Sequence, residues 1–223
     1  NPAQIKGLDA YDQLYADSRK WLANGWLDYF APQLYCTIEA PGQSYPVLLK
    51  WGREQNPQHR HLWPGNNSAK VAGNAWPAKE IVDQIRLTRG PAATGNIHWN
   101  MRSLMPGSPL GAALEKGPYA QPALASATPW LDDQPPGKPN VAVAQDAVTR
   151  RFKVSWEPTG SEKVWLWAVQ TKTAGKWNLE ILPGHRLSLS LPARSAAAQP
   201  TNLAIAAVDR CGNLSLTTLA SLP

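Results

Sequence analysis

The chain is poor in the residues that announce many familiar chemistries. Its two cysteines, Cys36 and Cys211, lie far apart and match no metal spacing; they permit a disulfide without arguing for one. No apolar run approaches the ~20 residues that cross a bilayer, so no transmembrane segment is expected. The start, Asn1-Pro2-Ala3-Gln4, shows neither an initiator Met nor a signal-peptide pattern and reads as that of a mature or excised segment. The net charge is +6, but the 22 Lys and Arg are dispersed and form no dense block, so no nucleic-acid partner is expected. Neither a Gly-rich phosphate loop nor a Gly-x-Ser-x-Gly elbow occurs, which removes nucleotide and esterase readings. His59 and His61 stand two apart, as on a metal-binding strand, yet no carboxylate or cysteine follows at a suitable spacing; no metal and no cofactor is expected.

What the chain does have is apolar mass. With 223 residues and 43% hydrophobic content it can bury a core in one large domain or two smaller ones. Eleven tryptophans are a heavy load; most are expected to fill the core or brace loops, and a few are candidates for a sugar cleft, where flat rings pack on the apolar faces of pyranoses. Trp63 and Trp99 are the two candidates.

Periodicity gives an alternating order of helices and strands. A helix is predicted over Ala10 to Asn24, with Leu14, Trp21 and Leu22 on one face and Gly25 as the stop. The run Asp28 to Tyr35 is too short for a helix and apolar on both faces, as in a parallel strand covered by helices. A helix from about Ser44 to Gln55 follows, then a buried strand over Arg60 to Gly65 and a polar loop from Asn66 to Asn74. The next helix opens at Trp76-Pro77, carries Ile81, Val82, Ile85 and Leu87, and stops at Gly90-Pro91. A third strand over Gly95 to Met101 puts Asn96, His98 and Asn100 on one face, and a short helix spans Leu110 to Lys116.

Three strand-and-helix units in this span suggest the C-terminal portion of a TIM-type (β/α)8 barrel, since a whole barrel needs about 250 residues. Its open edges imply that the N-terminal barrel half is missing from this chain or supplied by another chain. Composition shifts at Asp132 to Pro139, and beyond it segments rich in β-formers recur between Gly and Pro: Val141 to Ala144, Arg151 to Trp156, Lys163 to Thr171, Trp177 to Leu182, Arg186 to Leu191 and Asn202 to Asp209. The expected fold class is therefore α/β plus all-β. Residues 1–131 form the partial barrel, 132–139 a linker and 140–223 a small antiparallel β-sandwich. An Ala-biased loop covers Ser195 to Gln199.

Several of these stretches together resemble the glycosyl-hydrolase-like family 10 domain of bacteria. They are Tyr15 to Trp21, Gly25 to Tyr29, Ala31 to Tyr35, Trp63-Pro64-Gly65, Glu80 to Arg86 and Gly95 to His98. The resemblance covers about residues 8 to 131 and matches the C-terminal half of that domain. The tail Ala207 to Ser215 is similar to the last strand of the fibronectin type III-like module that follows the barrel in many members. The resemblance implies a TIM-type barrel, a secreted, periplasmic or cell-envelope setting, and hydrolysis of a glycosidic bond in a polysaccharide such as cell-wall glycan. One departure stands out: the family usually has Trp where this chain has Cys36, which removes an aromatic from the top of a strand.

Glycoside hydrolysis needs two carboxyl groups about 5 to 9.5 Å apart. In the barrel-like part the acids on predicted helices, Asp12, Asp17, Glu54, Glu80, Asp83 and Glu115, are expected to face solvent or pair locally. Glu39 alone falls in a loop after a strand and is the candidate catalytic acid; its partner is expected from the missing half, leaving the isolated segment inactive. Gln33 and Tyr35, at a strand end, are candidates to bind sugar hydroxyls, together with Asn66 at the start of the polar loop. His98 and Asn100 are expected to reach the same cleft as Gln33. The alternative is a non-catalytic carbohydrate-binding or cell-envelope scaffold protein.

Overall fold

The computed structural model describes residues 2–89, 93–191 and 200–222. The predicted stop at Gly90-Pro91 and the Ala-biased loop at Ser195 to Gln199 lie outside the described residues. The chain divides into two compact units, 1–120 and 121–223.

The first unit opens with two short helices, α1 (Ala10–Leu14) and α2 (Ser18–Ala23), where one continuous helix was expected. Tyr15 takes a left-handed conformation with φ 53°, and Asp17 caps α2 by accepting the Lys20 N–H at 3.0 Å. A carboxylate at Asp17 therefore starts a new helix instead of continuing the old one. Gly25 does end α2. Its φ of +66° lets the Gly25 N–H reach Leu22 O and the Trp26 N–H reach Trp21 O, the paired bonds of a Schellman cap.

Three parallel chain segments follow, with helices between them. The first carries β1 (Tyr29–Phe30), the second β2 (His61–Leu62) and β3 (Gly65–Asn66), and the third β4 (Ile97–His98). β1 pairs with β2, β3 with β4, and Gln33 bridges to Gly65, all parallel. The backbone bonds are regular. His61, Trp63 and Gly65 donate to Asp28, Phe30 and Pro32, while Thr94, Ile97 and Trp99 donate to Leu62, Pro64 and Asn66. The middle segment is thus bonded on both sides and each outer segment on one, so among the described residues this sheet stays open.

Between the first two segments runs α3 (Tyr45–Glu54), and α4 (Ala69–Ala72) and α5 (Ala78–Thr88) run between the second and third. α6 (Pro109–Glu115) comes last, opened by Pro109 and by Ser108, which accepts the Gly111 N–H. Phe30, Leu34, Leu62, Tyr45 and Leu49 make one core between β1, β2 and α3. Val71, Ile81, Val82, Ile85, Leu110 and Leu114 make another among the helices. Among the described residues no helix is long and apolar enough to cross a membrane.

The second unit is a two-sheet antiparallel sandwich. Its strands are β5 (Asn140–Gln145), β6 (Phe152–Glu157), β7 (Leu166–Thr173), β8 (Lys176–Pro183), β9 (Ser188–Leu191), β10 (Pro200–Val208) and β11 (Thr218–Ser221). One sheet has the order β5-β6-β9, the other β11-β10-β7-β8. Alternation along β6 buries Phe152, Val154 and Trp156, which meet Trp167, Val169, Leu203 and Ile205 from the facing sheet. The rings of Trp156 and Trp167 meet edge to face at 6.1 Å, and the Trp167 indole N–H donates to Gly184 O. Residues 121–139 lie with this unit: Leu124 packs on Ala168, Ala206 and Val208, Thr128 donates to Cys211 O, and Asn213 donates to Asp132 O. Cys36 and Cys211 are both free thiols, one in each unit.

Candidate functional site

Side chains alternate along a strand, so the register sorts the predicted site residues onto two faces of the open sheet. Tyr29 pairs with His61, Gln33 with Gly65, and Gly65 with Ile97; these, with Trp63, share the face away from the helices. Phe30, Leu62, Asn66 and His98 occupy the other face, toward α3 and α5.

The helix-free face is aromatic. The Trp63 ring stacks on Tyr29 at 4.6 Å and on His61 at 5.2 Å. Its indole N–H donates to Thr94 Oγ1 at 2.9 Å, and Thr94 Oγ1 lies 3.0 Å from His61 Nδ1. An indole only donates, so the Thr94 hydroxyl oxygen accepts from Trp63 while it also meets His61 Nδ1. Burial lowers the His61 pKa and favours a neutral ring. Further along the same face Gln33 is exposed, and its side-chain amide has no partner among the described residues. The Tyr35 ring lies over Gly65, where a Cβ would come 3.1 Å from the ring; only glycine gives it this room without displacement. Burial raises the Tyr35 hydroxyl pKa. Trp99, beyond β4, is 57% exposed.

The opposite face is apolar at Phe30 and Leu62 and turns polar, with its groups paired, at Asn66 and His98. Asn66 is fully buried; its Nδ2 donates to Gln84 Oε1 at 2.8 Å and to the Tyr45 hydroxyl at 3.2 Å, and its Oδ1 accepts from Asn96 at 3.0 Å. Gln84 Nε2 donates to Cys36 O at 3.0 Å and to Glu80 Oε1 at 2.9 Å. The same Glu80 oxygen accepts the Ile38 N–H at 2.8 Å. His98 lies between two hydroxyls, Ser68 Oγ at 2.7 Å from Nδ1 and Tyr119 OH at 2.8 Å from Nε2, and burial lowers its pKa. Asn100 accepts the Arg102 N–H and caps a 3₁₀ turn at Met101–Leu104.

The expected convergence of Gln33, Tyr35 and His98 on one cleft is therefore corrected. Asn96 and His98 do share a face, as alternation predicts, but α5 turns Gln84 and Thr88 inward, and Thr88 Oγ1 donates to Asn96 Oδ1 at 2.9 Å. Polar helix side chains thus claim the polar strand face. Gln33, Tyr35 and Trp63 remain together on the other side. Glu39 is exposed in the turn after the first segment, and no described hydrogen bond or ion pair brings a second carboxylate to it. Among the described residues no group of three or more His, Cys, Asp or Glu is placed to hold a metal.

Glu80 was expected in solvent or a local pair. It does make a local pair, accepting from Gln84 four residues on, but it is also half-buried and fastens the backbone of the loop that carries Glu39. Gln84 was passed over as well. The signal for it was available: positions 81, 84, 85 and 88 form one helical stripe, and polar residues inside a buried stripe require partners.

No protein-family model matches the chain. Over 165 residues it is 33% identical to the protein named glycosyl hydrolase YngK of Bacillus subtilis (strain 168), covering 70% of this chain and 32% of that protein. Over 49 residues it is 48% identical to the protein named glycosyl hydrolase DigH of Escherichia coli (strain K12), covering 22% of this chain and 11% of that one. Among solved structures, an FN3 domain of human collagen XX aligns at 17% identity and TM-score 0.30, covering 45% of this chain and all of that chain. The Spr0440 glycoside hydrolase domain, Endo-D, of Streptococcus pneumoniae aligns at 22% identity and TM-score 0.30, covering 41% and 15%. The chain spans about a third of the length of YngK. The curated relatives support a glycosyl-hydrolase-like family for this chain.

Proposed function

We propose that the chain is the C-terminal part of a bacterial glycoside hydrolase of the glycosyl-hydrolase-like family 10 type, acting on a polysaccharide such as cell-wall glycan in the cell envelope or outside the cell. The first unit supplies the last three strands of a TIM-type barrel and the second a fibronectin type III-like module. One observation carries the reading: three parallel strands, each followed by a helix, leave an aromatic face uncovered, with Trp63 between Tyr29 and His61 and with Trp99 beyond. A barrel closed by further strands would turn that face inward, with Gln33, Tyr35 and Trp99 toward the carboxyl ends where barrel enzymes bind substrate. The length of YngK beyond the matched region leaves room for those strands.

In this reading Gln33 and Tyr35 hold sugar hydroxyls, Trp99 stacks on a ring, and Glu39 is the one acid this segment offers. The loop tied down by Glu80 and Gln84 keeps Glu39 close to the strand end. Asn66, His98 and Asn100 act through packing and capping instead. The partner carboxylate belongs to the upstream strands, and the segment alone is inactive.

A second reading, a non-catalytic glycan-binding or scaffold protein, draws on Cys36, which takes the place of the family's usual tryptophan. The test is to express the full-length parent and assay it on cell-wall glycan and on chitin-type oligomers. Release of shorter fragments is expected. Retention of glycan with no cleavage would reject the hydrolase in favour of the second reading.

A further inference from the structure

The outer face of the β5-β6-β9 sheet carries a depression of about 330 Å³ that takes no part in the site above. Arg151, Lys153, Arg186, Thr149, Ser188 and Ser190 line it, with Asp146 at one side. The register builds it. Lys153 stands opposite Ser190 and Ser155 opposite Ser188, so cations and small hydroxyl side chains fall on one side of two adjacent strands. The three basic side chains are exposed, and among the described residues none of them forms an ion pair.

Arg151 is already oriented. Its Nε donates to Ser190 Oγ at 3.0 Å and its Nη2 to Ser190 O at 3.2 Å. Two of five guanidinium N–H donors are used; three remain for a ligand, on a fork held before the ligand arrives. Two acids border the strip, so its three cations face two carboxylates. Asp146 Oδ1 is taken up by its own turn, accepting the Val148 N–H, the Thr149 N–H and the Thr149 hydroxyl. Continuing the register puts Glu157 level with Arg186, at the far end of the strip.

The geometry points to a binding surface for a carboxylate-bearing polysaccharide on this face, with Arg151, Lys153 and Arg186 meeting the carboxylates and the serine hydroxyls meeting sugar hydroxyls. The lining residues include no aromatic ring for stacking a nucleobase, and their one apolar side chain, Leu189, is only half-exposed, whereas cations beside hydroxyls match an acidic sugar. The proposal rests on the glycan-active reading above for its class of partner. It concerns binding by the second unit and stands whether or not the parent cleaves anything.

The test uses the whole 223-residue chain and sodium alginate, with dextran as the neutral control. Alginate is expected to bind and dextran not, with affinity falling roughly tenfold between low salt and about 0.3 M NaCl, as exposed charges require. The double variant Arg151→Gln/Lys153→Gln should weaken binding at least roughly tenfold, whereas Lys172→Gln/Lys176→Gln, which removes the same charge from the other sheet, should leave it unchanged. Circular dichroism checks that both remain folded. Failure to bind alginate would overturn the proposal, as would equal losses in the two double variants. So would tighter binding to a phosphodiester polymer, to DNA or to anionic vesicles. Loss of cleavage by the parent with alginate binding intact would sink the hydrolase reading alone.

Discussion

Gln84 Nε2 donates to the Cys36 carbonyl oxygen across 48 positions of sequence, so a helix side chain holds the loop that leaves the first strand. Through Asn66, Tyr45 and Asn96 the same side chain is joined to the other two segments. Gln84→Leu should cost about 2 to 4 kcal/mol, because it strands buried partners that water does not reach. Urea unfolding of the chain measures it, and a loss below ~0.5 kcal/mol would show that the network is dispensable.

Glu80→Gln keeps the shape but removes the charge that accepts the Ile38 N–H. A loss of about 1 kcal/mol is expected, near the difference between a charged and a neutral acceptor. Glu80→Ala should cost more and should speed amide exchange at Ile38, which hydrogen exchange resolves.

The second unit depends on its two buried tryptophans. Trp156→Ala is expected to cost about 3 to 5 kcal/mol, the usual effect of emptying an aromatic site in a packed core, and to broaden or abolish the unfolding transition of that unit. Trp165→Ala, at a 50% exposed ring that stacks under the Arg210 guanidinium, should cost well under half as much.

Acid should weaken the first unit. His61 and His98 have folded pKa values below the ordinary imidazole value of 6.5, so the unfolded chain takes up protons that the folded chain resists. Their contribution is full above about pH 6.5 and is lost as pH falls through the folded values. Melting temperature should therefore fall from pH 7.5 to 5, and His98→Gln should flatten the curve. An unchanged slope in that variant would remove His98 from the account.

Gln33→Ala in the full-length parent is expected to weaken turnover or glycan affinity, since an exposed strand-end donor and acceptor is lost. Asn100→Ala should instead act on stability through its turn. Kinetics identical to the parent's for Gln33→Ala would make it scaffold.

Where local chemistry dominates, the pattern was readable. The helix over Ser44 to Gln55 is found at Tyr45–Glu54, Pro109 and Ser108 open a short helix as caps do, and Gly25 stops α2. The three parallel segments overlap the predicted strands, although the middle one runs past its expected end at Gly65 to take in Asn66, which was expected in a loop. Alternation also sorted Asn96 and His98 together, but it cannot say which face a helix will cover. That depended on the inward side of α5, where Gln84 and Thr88 interrupt the apolar stripe. The strand at Thr218–Ser221 went unread because four residues of mixed polarity carry too little period to stand out; its pairing with β10 is a long-range fact. The long-range contact of Glu80 is illegible for a similar reason, since its partner Ile38 lies 42 residues away.

The burial of Cys36 has a practical outcome. Its thiol is pushed up to about 11 and is nearly enclosed, while Cys211 is partly open to solvent. At neutral pH a maleimide dye should mark Cys211 almost exclusively, giving a ready attachment point for fluorescence on the second unit with no cysteine removed. Mass spectrometry of the labelled chain would show one adduct while native and a second only after denaturant is added.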